Sequence, residues 1–135
     1  MAHRIPIESC PTSNIQTKAV ARLADHPIRK FFDAGAIVVP CTDNTTVSQC
    51  TLSGEYMLLH EKFDFTVEEI VRLIDYGFYS AFVSSTEKRR LRADALHQCL
   101  RLLNEWGYDT TGIQQQEVYY RSFGVSFNEV LSTAI

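Results

Sequence analysis

Residues 36–48 read AIVVPCTDNTTVS, and the fold turns on how this stretch is understood. From Ala36 to Pro40 the chain is apolar without a break. A strand with one wet face alternates polar and apolar residues, so an unbroken run marks a strand covered on both faces, as in a parallel sheet. The run gives way to Cys41-Thr42-Asp43-Asn44. Parallel α/β folds carry their ligand chemistry at the C-terminal tips of the strands, which makes Asp43 and Asn44 candidate site residues. The same residues have a second reading: Asp and Asn ahead of Thr-Thr is a common way to leave a strand, because both side chains cap turns.

Upstream, residues 5–10 (IPIESC) read as a short strand that begins at Pro6 or lies at an edge, since Pro cannot donate to a ladder. Residues 10–17 read as a polar loop in which Ser13 and Asn14 either touch a ligand or cap the turn. Residues 17–23 suit a short helical turn. A firmer helix is expected over residues 27–34, with Pro27 at its start and Gly35 as its left-handed stop. This strand-helix-strand order is a crossover unit, so the two strands are expected to pair in parallel.

Downstream, a loop over residues 45–49 leads to a helix over residues 52–63 with Tyr56, Met57, Leu58 and Leu59 on its apolar face. Thr66 with Glu69, and Ser84 with Glu87, are capping boxes that open helices reaching about Phe82 and Trp106. In the first of these, Ile70, Leu73, Ile74 and Gly77 form a core stripe at helical spacing. Lys88, Arg89, Arg90 and Arg92 read as a solvated face, because Glu87 and Asp94 lie at bridging distances along the helix. Residues 108–112 read as a turn, residues 114–123 as a strand or a helix, and Ser126 with Glu129 as a further cap.

Composition narrows the function classes. At 135 residues, 45% hydrophobic and 21% charged, the chain has the size and make-up of a single globular domain. A formal charge of −3 offers nothing to nucleic acid phosphates. No apolar run approaches the ~20 residues of a membrane span, and no secretory layout opens the chain, so a cytoplasmic setting without membrane or nucleic acid partners is expected. Cys10, Cys41, Cys50 and Cys99 show no C-x-x-C spacing. His3, His26, His60 and His97 show no spacing that places two imidazoles on one metal.

Several segments share an order and spacing with a known family: Cys10-Pro11-Thr12-Ser13-Asn14-Ile15-Gln16-Thr17, His26-Pro27-Ile28, Asp33-Ala34-Gly35, Thr42-Asp43-Asn44, Thr46-Val47-Ser48 and Thr51-Leu52-Ser53-Gly54-Glu55-Tyr56. From about residue 5 to about residue 91 the chain resembles the adenosine deaminase family. The resemblance implies an α/β fold: the C-terminal fragment of a TIM (β/α)8 barrel of the metal-dependent hydrolase type, with two parallel strands and several helices. Residues 4–91 would be its last two β/α units and residues 108–135 a C-terminal extension, within one partial domain. It further implies that Asp43 ligates a catalytic zinc, that Asn44 bonds the purine ring where the family usually has Asp, and that Ser13 and Asn14 help wall the pocket. An amide bonds a ring nitrogen but cannot share a proton as a carboxyl group does.

The intact family protein would hydrolyse adenosine to inosine. A TIM barrel needs roughly 250 residues, however, and the resemblance starts only at the seventh strand. The histidine ligands and the general acid/base glutamate of the family are not in this chain, so the chain alone is expected neither to deaminate nor to hold zinc stably. Two strands cut from a closed barrel expose apolar surface, and each large side chain left bare forgoes roughly 1.5–3 kcal/mol. A second copy of the chain, a complementing N-terminal barrel half, or the chain's own tail is expected to cover that surface. An alternative reading is a non-catalytic remnant module that uses its apolar face for assembly or ligand binding.

Overall fold

In the computed structural model, which describes residues 5–114, the elements run β1 (Ile7–Ser9), α1 (Pro11–Gln16), a short 3-10 helix (Leu23–Asp25), α2 (Ile28–Asp33), β2 (Val38–Pro40), α3 (Thr45–Ser48), α4 (Leu52–Phe63), α5 (Val67–Ser80), α6 (Ser85–Glu105) and α7 (Thr111–Gln114). β1 and β2 pair in parallel, with Ile7 opposite Val38 and Ser9 opposite Pro40. All three residues of β2 are buried, as its unbroken apolar letters require, whereas Ile7 and Glu8 of β1 face solvent. Gly35 sits at φ +79°, the left-handed stop that lets the chain turn from α2 into β2.

Two stretches expected to be loops are helical. Residues 10–17 contain α1, with Pro11 at its first position, and residues 45–49 contain the single turn of α3. The short helical turn expected over residues 17–23 lies later, at Leu23–Asp25. By internal contacts the chain divides into two compact units, Met1–Tyr76 and Gly77–Ile135, and the boundary falls within α5.

The first unit is built on Ile28, Phe32, Ile37, Val38, Leu59, Phe63, Phe65, Val71 and Leu73, all buried. On α4 the buried face is Glu55, Leu59 and Phe63, while Met57 is exposed. The stripe therefore lies to one side of the apolar letters, and a carboxylate stands on it. On α5 the buried positions are Val71, Leu73, Asp75 and Tyr76; Ile70, Ile74 and Gly77 are only half-buried. Arg29 ties α2 to α5. Its guanidinium donates to both oxygens of Glu69 at 2.7 and 2.8 Å, bridges to Asp33 at 2.7 Å, and stacks 4.7 Å from the Phe65 ring centroid. Glu69 also completes the capping box, accepting from Thr66 N–H at 3.0 Å while its own N–H donates to Thr66 Oγ1.

In the second unit Ser84 caps α6 through Glu87 N–H at 3.2 Å. Its basic cluster is spent partly within the helix and partly on the end of α5, and Arg92, expected on a solvated face, is buried. Arg90 forks onto Glu87 and Asp94, and Lys88 and Arg92 both lie 5.6 Å from the Tyr79 ring centroid. Gly107, at φ +73°, closes the helix. α7 starts inside the residues expected to form a turn, with Asp109 accepting from Thr111 N–H at 2.9 Å. The segment from residue 115 onward, on which the cap expected from Ser126 with Glu129 and most of the strand or helix expected over residues 114–123 fall, lies outside the described residues.

The Arg29 hydrogen bonds hold the Glu69 carboxyl below its ordinary value of 4.5. The pair's contribution is thus full above that value and is lost as pH falls through the lowered folded pKa. Glu69→Gln should cost about 1–2 kcal/mol in denaturant unfolding at neutral pH, and its deficit against the parent should shrink as titration proceeds below pH 4.5.

Candidate active-site cleft at the strand tips

Parallel pairing brings two chain exits to the same end of the sheet. The last ladder bond runs from Cys41 N–H to Ser9 O at 2.9 Å, so Cys10 and Cys41 leave their strands side by side. Beyond them lies an open cleft of about 430 Å³ lined by Glu8, Cys10, Cys41, Thr42, Asp43 and Leu52, a size suited to a small ligand. Carboxylates and thiols line it, without a lysine or arginine. Burial, then the Glu8 carboxylate and the Cys10 thiol, push Cys41 up to about 11, and burial followed by Asp43 and Glu8 raises Cys10. Both sulfurs stay protonated at neutral pH, which makes them poor nucleophiles.

Asp43 sits at the mouth with φ +58°, in the left-handed region that Asp tolerates better than most residues. Backbone held there costs on the order of 1–3 kcal/mol and persists only where neighbours fix it. One neighbour is visible: Ser13 Oγ, buried on α1, donates to Asp43 Oδ2 at 2.8 Å. That bond occupies one carboxylate oxygen and leaves Oδ1 for another partner. A second tie between the same two loops runs from Gln16 Nε2 to Ser48 O at 3.1 Å.

Asn44 is the N-cap of α3, its Oδ1 accepting from Thr46 N–H at 3.1 Å and Val47 N–H at 3.0 Å. The turn-capping reading of this residue therefore describes its oxygen, and what the side chain still offers a ligand is the Nδ2 donor pair. Asn14 is turned to His26, with Nδ2 and Nε2 placed 3.0 Å apart. His26 Nδ1 accepts from Ile28 N–H at 3.3 Å. Burial lowers the pKa of this ring, so it is neutral with its proton on Nε2, and Asn14 must present its amide oxygen there. His26 is thus committed on both nitrogens.

The structure brings Ser13 to Asp43, puts Asn44 beside them as a cap, and directs Asn14 to a structural histidine. Sequence reading passed over Glu55, which is 1% exposed and whose Oε2 accepts from Thr12 N–H at 3.2 Å. The available signal was an acid spaced four and eight residues ahead of Leu59 and Phe63, on the stripe that should have been apolar throughout.

A sequence model of the family described as Adenosine deaminase matches residues 1–98. The chain is 49% identical over 117 residues to a probable adenosine deaminase of Dictyostelium discoideum, a match covering 87% of this chain and 15% of the relative. An adenosine deaminase of Haemophilus ducreyi is 43% identical over 67% of this chain and 26% of its own length. Among solved structures, an adenine deaminase from Arthrobacter aurescens superposes with a TM-score of 0.66 at 26% identity, over 75% of this chain and 30% of that one. The chain therefore spans about a quarter or less of the curated relatives named here, and what it matches is the C-terminal portion of an α/β (β/α)8 barrel.

If Asn44 is a cap, Asn44→Ala should lower the unfolding free energy by about 1 kcal/mol, whereas Asn44→Asp, an equally good cap, should stay close to the parent. Denaturant titration of the three chains measures this.

Proposed function

This chain belongs to the adenosine deaminase family, and we propose that it forms the C-terminal part of a hydrolase converting adenosine to inosine. The observation that carries the proposal is Asp43: a carboxylate at a strand tip, held in a left-handed backbone with one oxygen taken by Ser13, at the mouth of a ligand-sized cleft. Asp43 supplies an oxygen donor to the metal, and Asn44 Nδ2 donates to a nitrogen of the purine ring while Oδ1 keeps α3 in place. Ser13 serves the site by orienting Asp43, and Asn14 by holding His26. The bound purine nucleoside lies in the cleft between the two strand tips. Four free cysteines agree with the cytoplasmic setting that goes with this reading, and no described helix is long and apolar enough to cross a membrane.

The described residues do not fit a zinc ion by themselves. No three of their His, Cys, Asp or Glu side chains gather as ligands, and His26 is occupied on both ring nitrogens. The remaining donors and the proton-transferring acid must come from other parts of a barrel, and the chain alone is inactive under this reading. A second reading, a non-catalytic module that assembles through apolar surface, draws on the exposure of Ile5 and Val47, each 76%, and of Leu52 at 50%.

Zinc content and adenosine turnover, measured for the chain alone and after addition of an N-terminal barrel half from a relative, separate the readings. The chain alone should retain no zinc and turn over nothing; the mixture should gain both, and Asp43→Ala in the mixture should lose both. Zinc-loaded turnover by the chain alone, or zinc kept by the Asp43→Ala mixture, overturns the proposal. A stable self-assembled oligomer in light scattering that gains neither zinc nor turnover favours the second reading.

A further inference from the structure

Glu55 stands in the first turn of α4, but α4 does not need it as a cap, because Thr51 Oγ1 already accepts from Gly54 N–H at 3.1 Å. A leucine there would continue the buried stripe of Leu59 and Phe63, and a buried carboxylate is costly unless its oxygens are bonded. Its partner lies on another element. Oε2 accepts from the N–H of Thr12, the second residue of α1, at 3.2 Å. The N-cap of α1 is Cys10, whose side chain makes no cap bond, so a donor of the first turn would otherwise be orphaned. Ser13 is the next residue in that turn, and its hydroxyl is the group that holds Asp43.

We infer that Glu55 is a positioning residue for Asp43: it supplies from α4 the cap that α1 lacks, and so fixes the turn from which Ser13 selects which carboxylate oxygen of Asp43 is engaged and which is left for a ligand. The chain of contacts is short, Glu55 Oε2 to Thr12 N–H, then Ser13 Oγ to Asp43 Oδ2, and it runs from the buried Glu55 through the half-buried Thr12 and the buried Ser13 to the exposed Asp43. A purely structural cap would serve any residue type at position 13. Here the capped turn places a hydroxyl on the candidate ligand, and that coupling is what the experiment reads.

The first arm uses the 135-residue chain and no metal. In Glu55→Leu, which removes the acceptor without opening a cavity, amide hydrogen exchange at Thr12 should quicken by about tenfold or more, and the Ser13 and Asp43 backbone resonances should move. Glu55→Gln keeps an acceptor oxygen and should leave both in place. Arg29→Gln weakens the same unit through Glu69 and should not move the Ser13 or Asp43 resonances. Thr12 exchange unchanged in Glu55→Leu, or quickened with Ser13 and Asp43 unmoved, overturns the inference. If Glu55→Leu fails to fold, displaced Asp43 resonances in Glu55→Gln overturn it and undisplaced ones support it.

The second arm rests on the deaminase reading and uses the chain completed by a barrel half. Glu55→Leu should weaken zinc retention by about tenfold, and so should Ser13→Ala. The double variant should be no weaker than either alone, since both act through one contact. Additive losses, or parental zinc retention in Glu55→Leu, overturn the positioning role. A parent assembly that binds no zinc instead counts against the proposed function, and the role of Glu55 then stands or falls on the first arm.

Discussion

Backbone donors and acceptors that a strand presents along its ladder must find other partners once the strand ends, and the geometry of this site follows from how that need is met. β1 and β2 exit side by side because they are parallel, with the ladder closing at Cys41 and Ser9. On one exit the chain winds at once into α1, and on the other it passes through the left-handed Asp43 into α3. Each of these short helices has a first turn to satisfy. Asn44 satisfies α3 from within, and Glu55 satisfies α1 from a distance. The Ser13 to Asp43 hydrogen bond then joins the two exits, so the candidate ligand is placed by the same contacts that finish the backbone.

The elements easiest to read were those whose signals are local. Five apolar residues before Asp43 mark β2, Gly35 marks the left-handed stop, and Thr66 with Glu69 forms the reciprocal pair that their spacing specifies. The two short helices were not legible as helices. α1 has no side-chain cap in its own sequence, and its completing acceptor lies 43 residues away, beyond any local pattern. α3 is a single turn, too short to show a period. On α4 the expected apolar face was displaced because a charged letter, Glu55, occupies a buried position, and a pattern of apolar residues cannot register a carboxylate that is inside for its hydrogen bond.

The candidate site shows a similar division. Asp43 was legible from its place at a strand tip and from the family likeness; its backbone conformation and its Ser13 partner were not. Ligand and turn roles for Asn44 looked like competitors in the letters, yet the side chain has two ends. The oxygen caps α3 and the nitrogen remains a donor, so the observed cap does not use up the amide. Asn14 was drawn toward the pocket by its neighbours in sequence, but its amide lies 3.0 Å from Nε2 of the buried His26 and is engaged there instead.

The span between Thr12 and Glu55 also sets an order of events in synthesis. A chain emerging residue by residue presents β1 and the first turn of α1 long before the acceptor that completes that turn, and contacts so distant in sequence form late. Until α4 has been made, Ser13 has no fixed perch and Asp43 no fixed neighbour. The corner at the strand tips is therefore assembled from its far end backward, and a nascent chain halted ahead of α4 carries Ser13 and Asp43 but not the Glu55 that sets them.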